Sequence, residues 1–188
     1  MAHPKPSCAP RDTGRTIDDG AQPDRRALRS IYDAHVHFVR RNAIRLGIPT
    51  AHADDVVQEV FVTLVRRWGA VGAVQSVRAL LFAVTRRVSA NYRRKLERNA
   101  VDPLPSPALL TVDDDGFDRV DAAHTVARFL AQLDEPRRLV FVLAELEGMS
   151  APEIADALGG LNLNTVYTRL RWARRRFKTL IAAQEARQ

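Results

Sequence analysis

What the chain lacks narrows the field first. Its 188 residues hold one cysteine, Cys8, so no internal disulfide can form and no Cys/His spacing of a zinc site exists. No apolar run approaches the roughly 18–20 residues that cross a bilayer. The charged N-terminus is not followed by the apolar core of a secretory signal. The expectation is a cytoplasmic protein without membrane insertion. Lysine is confined to Lys5, Lys95 and Lys178, so arginine carries nearly all of the positive charge behind the net +7. Such a surplus suits a polyanionic partner, nucleic acid or an anionic membrane. Guanidinium fits guanine edges and phosphates bidentately, although a GC-rich genome gives the same bias.

β-strand signals are weak throughout, and the expected fold is all-α: two small helical domains joined by a Pro/Asp-rich linker. Residues 1–24, with Pro4, Pro6, Pro10 and Pro23 among scattered charges, read as a disordered tail. A first helical domain is expected over 25–98. Leu28, Ile31, Tyr32, His35, Phe38, Val39 and Asn42 keep helical spacing until Gly47 and Pro49 break it. Thr50 is placed to cap a second helix carrying Val56, Val57, Val60, Phe61, Leu64 and Val65. After a loop at 69–75, Ser76 caps a third helix with Leu80, Leu81, Val84, Val88 and Tyr92 inward. Pro103, Pro105 and Pro107, followed by Asp113, Asp114, Asp115 and Asp118, mark 99–121 as an extended linker. A second domain, 122–188, resumes with Val126, Phe129, Leu130 and Leu133, then a helix opened by Pro136 and closed by Gly148.

The end of that domain reads as a helix-turn-helix. Ser150 and Glu153 have capping-box spacing, and Pro152 fits an early helical position. Ile154, Ala155 and Leu158 share a face, and Gly159-Gly160 supplies the positive φ of a helix end. Asn164 reads as the N-cap of a longer helix, with Val166, Leu170, Ala173, Phe177, Leu180 and Ile181 on one stripe. Asn164, Thr168, Arg171 and Arg175 fall opposite, flanked by Arg169, Arg174, Arg176 and Lys178. Short polar groups followed by cations are what a major-groove helix needs for base edges and phosphates.

Two separated blocks carry a family resemblance. DDVVQEVF at 54–61, LLFAV at 80–84 and NYRRK at 91–95 resemble the promoter-melting domain of bacterial extracytoplasmic-function (ECF) sigma factors. LAQLDEPRR at 130–138, EGMS at 147–150, EIA at 153–155, Leu158-Gly159 and TVYTRL at 165–170 resemble their C-terminal DNA-reading domain. The resemblance spans about 28 to 181. The turn before Thr165 holds one residue more than the usual family pattern, which bears on the tilt of the reading helix.

The resemblance implies a dissociable, non-catalytic subunit that directs core RNA polymerase to promoters. Asn164, Thr165, Thr168, Arg169, Arg171 and Arg175 would bind the minus-thirty-five element as duplex. Arg86, Arg87, Asn91, Arg93 and Arg94 would bind the minus-ten element, with Lys95 and Arg98 extending the phosphate track. The 69–75 loop would hold an unstacked base. Trp68 and Phe82 could stack on bases or pack in the core. Asp54, Asp55, Gln58 and Glu59 form an acidic patch on the helix that the family uses to bind a basic coiled coil of the polymerase. Compensation of the helix dipole would account for Asp54 and Asp55 but less well for Gln58 and Glu59. An anti-sigma protein is the other expected partner. No cofactor, metal or small-molecule substrate is implied. The linker as bounded here reaches about 75 Å fully extended, enough for two promoter elements less than two duplex turns apart, about 70 Å.

Two rivals fit less well. A stand-alone helix-turn-helix regulator would bind a palindrome as a dimer, and no dimer seam is visible. A metal-dependent nuclease could use Asp54, Asp55 and Glu59, with Asp55 and Glu59 one turn apart, yet His35 and His37 fall on different faces and His52 is unsupported.

Overall fold

The computed structural model describes residues 25–68, 76–99 and 117–186. The tail at 1–24, the loop at 69–75 and most of the linker lie outside them. Among the described residues every regular element is helical.

The first half is built of α1 (Arg25–Arg45), α2 (Ala53–Arg66) and α3 (Val77–Asn99), which pack against one another. Their shared core holds Phe38, Val39, Ile44, Val56, Val60, Leu64, Leu81 and Phe82. In α2 the residues at 56, 57, 60, 61 and 64 are buried and those at 54, 55, 58, 59 and 62 exposed, the period of an amphipathic helix. Valine is a mediocre helix former, so burial rather than propensity holds this element. At the end of α1, Gly47 (φ 92°) lets its own N–H reach the Ile44 carbonyl and the Ile48 N–H reach that of Ala43. This 5→2 and 6→1 pair is a Schellman cap, sealed by buried Ile48. Thr50 does not cap α2: Thr50–His52 is a 3₁₀ turn running into Ala53 with no side-chain cap. Ser76 does cap α3, its Oγ accepting from the Ala79 N–H at 3.3 Å.

The second half comprises α4 (Phe117–Ala131), α5 (Glu135–Phe141), a π-helical run Val142–Leu146, α6 (Ala151–Ala157) and α7 (Leu163–Glu185). Helix α4 starts inside the stretch read as linker, which leaves about 17 residues between α3 and α4, a reach of about 60 Å. Phe129, Phe141 and Phe177 form its centre, with ring centroids 4.9–5.7 Å apart in tilted and edge-on pairs. Asp134 caps α5, accepting from the Arg137 N–H at 3.1 Å, with Pro136 in the first turn. Buried residues of both halves join one apolar cluster, because α6 packs on α3.

The capping box at Ser150 is complete: its hydroxyl accepts from the Glu153 N–H, and its own N–H donates to Glu153 Oε2 at 2.9 Å. Replacing Ser150 with Ala is expected to cost about 1 kcal/mol, lowering the melting midpoint by a few degrees in calorimetry. An unchanged midpoint would mean that packing alone holds α6.

Candidate nucleic-acid interface

The turn between α6 and α7 sets the reading helix. Gly159 (φ 87°) donates to the Asp156 carbonyl and Gly160 (φ 79°) to that of Ala155, a second Schellman cap. Leu161 adds a third turn residue, and α7 then starts two residues earlier than expected. Asn162, not Asn164, is its N-cap, with Asn162 Oδ1 accepting from the Asn164 N–H at 2.8 Å. The Asn164 side chain is therefore left free of capping and stands exposed in the first turn.

Val166, Leu170 and Ala173 are buried, while Asn164, Thr168, Arg171 and Arg175 are exposed along the opposite face. Thr165 and Arg169 are half-buried at its edges. The cations are not equivalent. Arg174 is held by Glu145 at 2.7 Å, whereas the Arg171 and Arg175 guanidinium groups have no partner among the described residues. Sequence reasoning missed Tyr167, which is 53 % exposed between Leu163 and Arg171 and adds an aromatic surface to the same face. Its spacing of three from Asn164 was the available signal. Trp172, 44 % exposed, stacks under Arg137, 4.3 Å from ring centroid to guanidinium carbon.

On α3, Arg87, Asn91, Arg94 and Arg98 fall on one exposed stripe, with Arg86 and Lys95 beside it. A shallow depression between Asn91, Arg94, Glu97 and Arg98 opens on that stripe. Arg93 differs: it is half-buried, and its Nε is buried without a hydrogen-bond partner among the described residues. Phe82 is 1 % exposed and belongs to the core, so it offers no face to a base. Trp68 is half-buried at the end of the described segment.

A third surface lies on α2, where Asp54, Asp55, Gln58 and Glu59 are all exposed on one face. Asp54 accepts from Arg40 at 3.1 Å, and Asp55 from the Tyr92 hydroxyl at 3.1 Å. Desolvation first, and the Asp55 carboxylate second, push the Tyr92 phenol above its ordinary value. Gln58 and Glu59 make no side-chain contact of this kind among the described residues. No three histidine, cysteine or acidic side chains gather there to hold a metal, and no described helix is long and apolar enough to cross a membrane.

The Sigma-70 region 2 family matches residues 31–99 and the Sigma-70 region 4 family residues 124–177. The chain is 33 % identical over 165 residues to the ECF RNA polymerase sigma factor SigL of Mycobacterium tuberculosis, covering 84 % of this chain and 90 % of that one. It belongs to the ECF RNA polymerase sigma factors. A second relative, the RNA polymerase sigma factor CnrH of Cupriavidus metallidurans, is 30 % identical over 190 residues, covering 93 % and 97 % of the two chains. The solved structure of CnrH with the cytosolic domain of CnrY matches with a TM-score of 0.58 at 29 % identity, over 85 % of this chain and 90 % of that one. The sigma factor RpoE of Bartonella quintana, solved with the anti-sigma factor NepR, shares the fold at a TM-score of 0.62 and 19 % identity, over 84 % and 98 %. This sigma factor thus carries its region 2 on α1–α3 and its region 4 on the helices that end in α7. It is an alternative sigma factor, a regulator of transcription initiation.

Where the two regions meet, Glu153 accepts from the Ser76 hydroxyl at 2.7 Å while still serving the capping box. The Ser76 hydroxyl first, then the Ser150 groups and the Arg78 charge, lower the Glu153 carboxyl below its ordinary 4.5. A lowered carboxyl stabilises the folded form fully above that ordinary value, and the contribution is lost as pH falls through the lowered one. The melting midpoint is therefore expected to drop on acidification below 4.5 less steeply in Glu153→Gln than in the parent. Parallel curves would remove Glu153 from the acid response.

Proposed function

We propose that this sigma factor docks on core RNA polymerase through Asp54, Asp55, Gln58 and Glu59, and that its two basic surfaces then divide the promoter. Asn164, Thr165, Thr168, Arg169, Arg171 and Arg175 read the minus-thirty-five element in the major groove, with Tyr167 alongside. Arg86, Arg87, Asn91 and Arg94, with Arg93 at their edge, hold the minus-ten strand. The tail at 1–24 and the connector, read as 99–121 and shortened by the start of α4 at Phe117, flank these units. The protein works in the cytoplasm as a dissociable subunit with no catalysis of its own, and an anti-sigma partner that covers these surfaces keeps it inactive. RpoE was solved with the anti-sigma factor NepR, and CnrH with the cytosolic domain of CnrY.

One observation carries this reading. A single chain presents an exposed acidic helix face, a separate arginine stripe on α3 and a reading helix with free arginines on α7. A duplex-binding regulator would use only the last. Run-off transcription with sigma-free core polymerase on fragments of the source genome is the test. Discrete start sites that require the protein are expected. Duplex binding without stimulated initiation would favour a stand-alone helix-turn-helix regulator.

A further inference from the structure

Among the described residues five large apolar side chains stand exposed: Tyr32, Val62, Leu163, Tyr167 and Trp172. Single exposed apolar side chains are ordinary on a protein surface, so what matters is where these fall. Tyr32 rests on Phe61, ring centroids 4.7 Å apart, and Val62 shares the shallow groove beside them. Trp172 lies under the Arg137 guanidinium. Leu163 and Tyr167 remain, 42 % and 53 % exposed, one turn apart at the start of α7. The Tyr167 ring meets no other aromatic ring, and its hydroxyl has no hydrogen-bond partner among the described residues.

In a helix-turn-helix the first turns of the second helix meet the base edges, and both side chains lie on those turns. Tyr167 projects about 40° around the helix axis from Arg171 and about 60° from Asn164, so it borders the polar reading face. No acidic residue precedes Glu185 in α7, and nothing there repels phosphate. Arginines bring the backbone of a duplex to this face; an apolar side chain held beside them meets the floor of the groove. Asparagine, threonine and arginine find donors or acceptors on that floor at every base pair. A tyrosine ring and a leucine find one apolar feature there in unmodified DNA, the 5-methyl group of thymine. Cytosine in the same place offers an amine donor instead, which an apolar neighbour would leave without a partner.

We propose that Tyr167 determines specificity in region 4 by packing its ring against the 5-methyl group of a thymine in the minus-thirty-five element, with Leu163 against a second thymine nearby. The contact presupposes the function proposed above and adds the kind of base that this flank selects. Four residues of helix rise about 6 Å, against about 3.4 Å per nucleotide along one strand. The two methyl groups therefore belong to thymines one or two steps apart. Removing one buried methyl group lowers affinity by about fourfold. As a base contact rather than a phosphate contact, it leaves the salt dependence of binding unchanged.

The test uses the full chain with core polymerase on a promoter found by run-off transcription. Each thymine of the minus-thirty-five element, on either strand, is replaced in turn by uracil, which pairs alike and lacks only the methyl. Promoter affinity of the parent is expected to fall about fourfold at one position for each side chain. With Tyr167→Ala, affinity for the thymine duplex falls and the response to uracil at one position vanishes; Leu163→Ala does the same at the other. Tyr167→Phe keeps the ring and is expected to keep the parent's pattern. Loss of the pattern in that variant assigns the contact to the hydroxyl and overturns the methyl contact. A parent that initiates normally yet ignores uracil at every position overturns the proposal and leaves the sigma function standing. Unchanged promoter affinity on substituting both residues also overturns it, and turns the pair toward a protein partner. A parent that initiates on no fragment strikes the sigma function and the thymine contact together.

Discussion

Reversing the charge of Asp55 and Glu59 together is expected to abolish transcription from every promoter this sigma factor serves, by removing its association with core polymerase. Both side chains are exposed on the same face of α2, with Gln58 between them and Asp54 one turn before. Two roles for these acids predict outcomes far apart in size. If they only compensate the positive end of the helix dipole, reversal costs under about 1 kcal/mol of stability and leaves association intact. If they meet a basic surface, replacing attraction by repulsion costs several kcal/mol, hence at least about 100-fold in affinity. Asp55 is the less clean probe, because it also accepts the Tyr92 hydroxyl and lies 3.9 Å from His52. Glu59→Arg alone avoids that ambiguity and should account for much of the loss. Titration of labelled core polymerase against each variant is the measurement, with duplex binding as the control that α7 remains intact. Normal polymerase affinity in the double reversal would remove α2 from the interface.

The local parts of this fold were legible in the sequence because their causes are local. The capping box, the Gly47 and Gly159-Gly160 helix ends and the alternation of valines in α2 need only neighbours within a few positions. The errors also have identifiable causes. Asn162 and Asn164 are equally good caps, and the Schellman geometry at Gly160, with Leu161 after it, decided between them. Thr50 lost its capping role to a 3₁₀ turn that continues directly into α2. Phe82 is no such error: within a segment that resembles a base-binding region it also reads as a core residue, and the packing of α1 and α2 buries it. The contact of region 2 with region 4 had no local signal at all, since its partners lie 69 to 106 residues apart. A single hint existed. Glu147 is an acid at the wrong end of a helix, and such a residue needs cations from elsewhere.

Replacing Arg171 and Arg175 with alanine is expected to lower promoter-directed transcription by roughly 10- to 100-fold while leaving polymerase association unchanged. The structure separates these two from the rest of the basic helix. Each lies on the exposed face with Asn164 and Thr168, and neither guanidinium is engaged by the protein among the described residues. Arg174, between them in sequence, is tied to Glu145 at 2.7 Å and serves as the internal control. Arg174→Ala should alter stability slightly, as exposed ion pairs do, and transcription little. The salt dependence of duplex binding tells a base contact from a phosphate contact. Each lost phosphate contact flattens the plot of log affinity against log salt by about 0.9. A lost base contact weakens binding to one sequence and leaves the slope unchanged. If the double alanine variant keeps both its promoter preference and its slope, the reading face lies elsewhere on α7. The flank that carries Leu163 and Tyr167 would then be the next place to look, because both are exposed and neither is needed for the core.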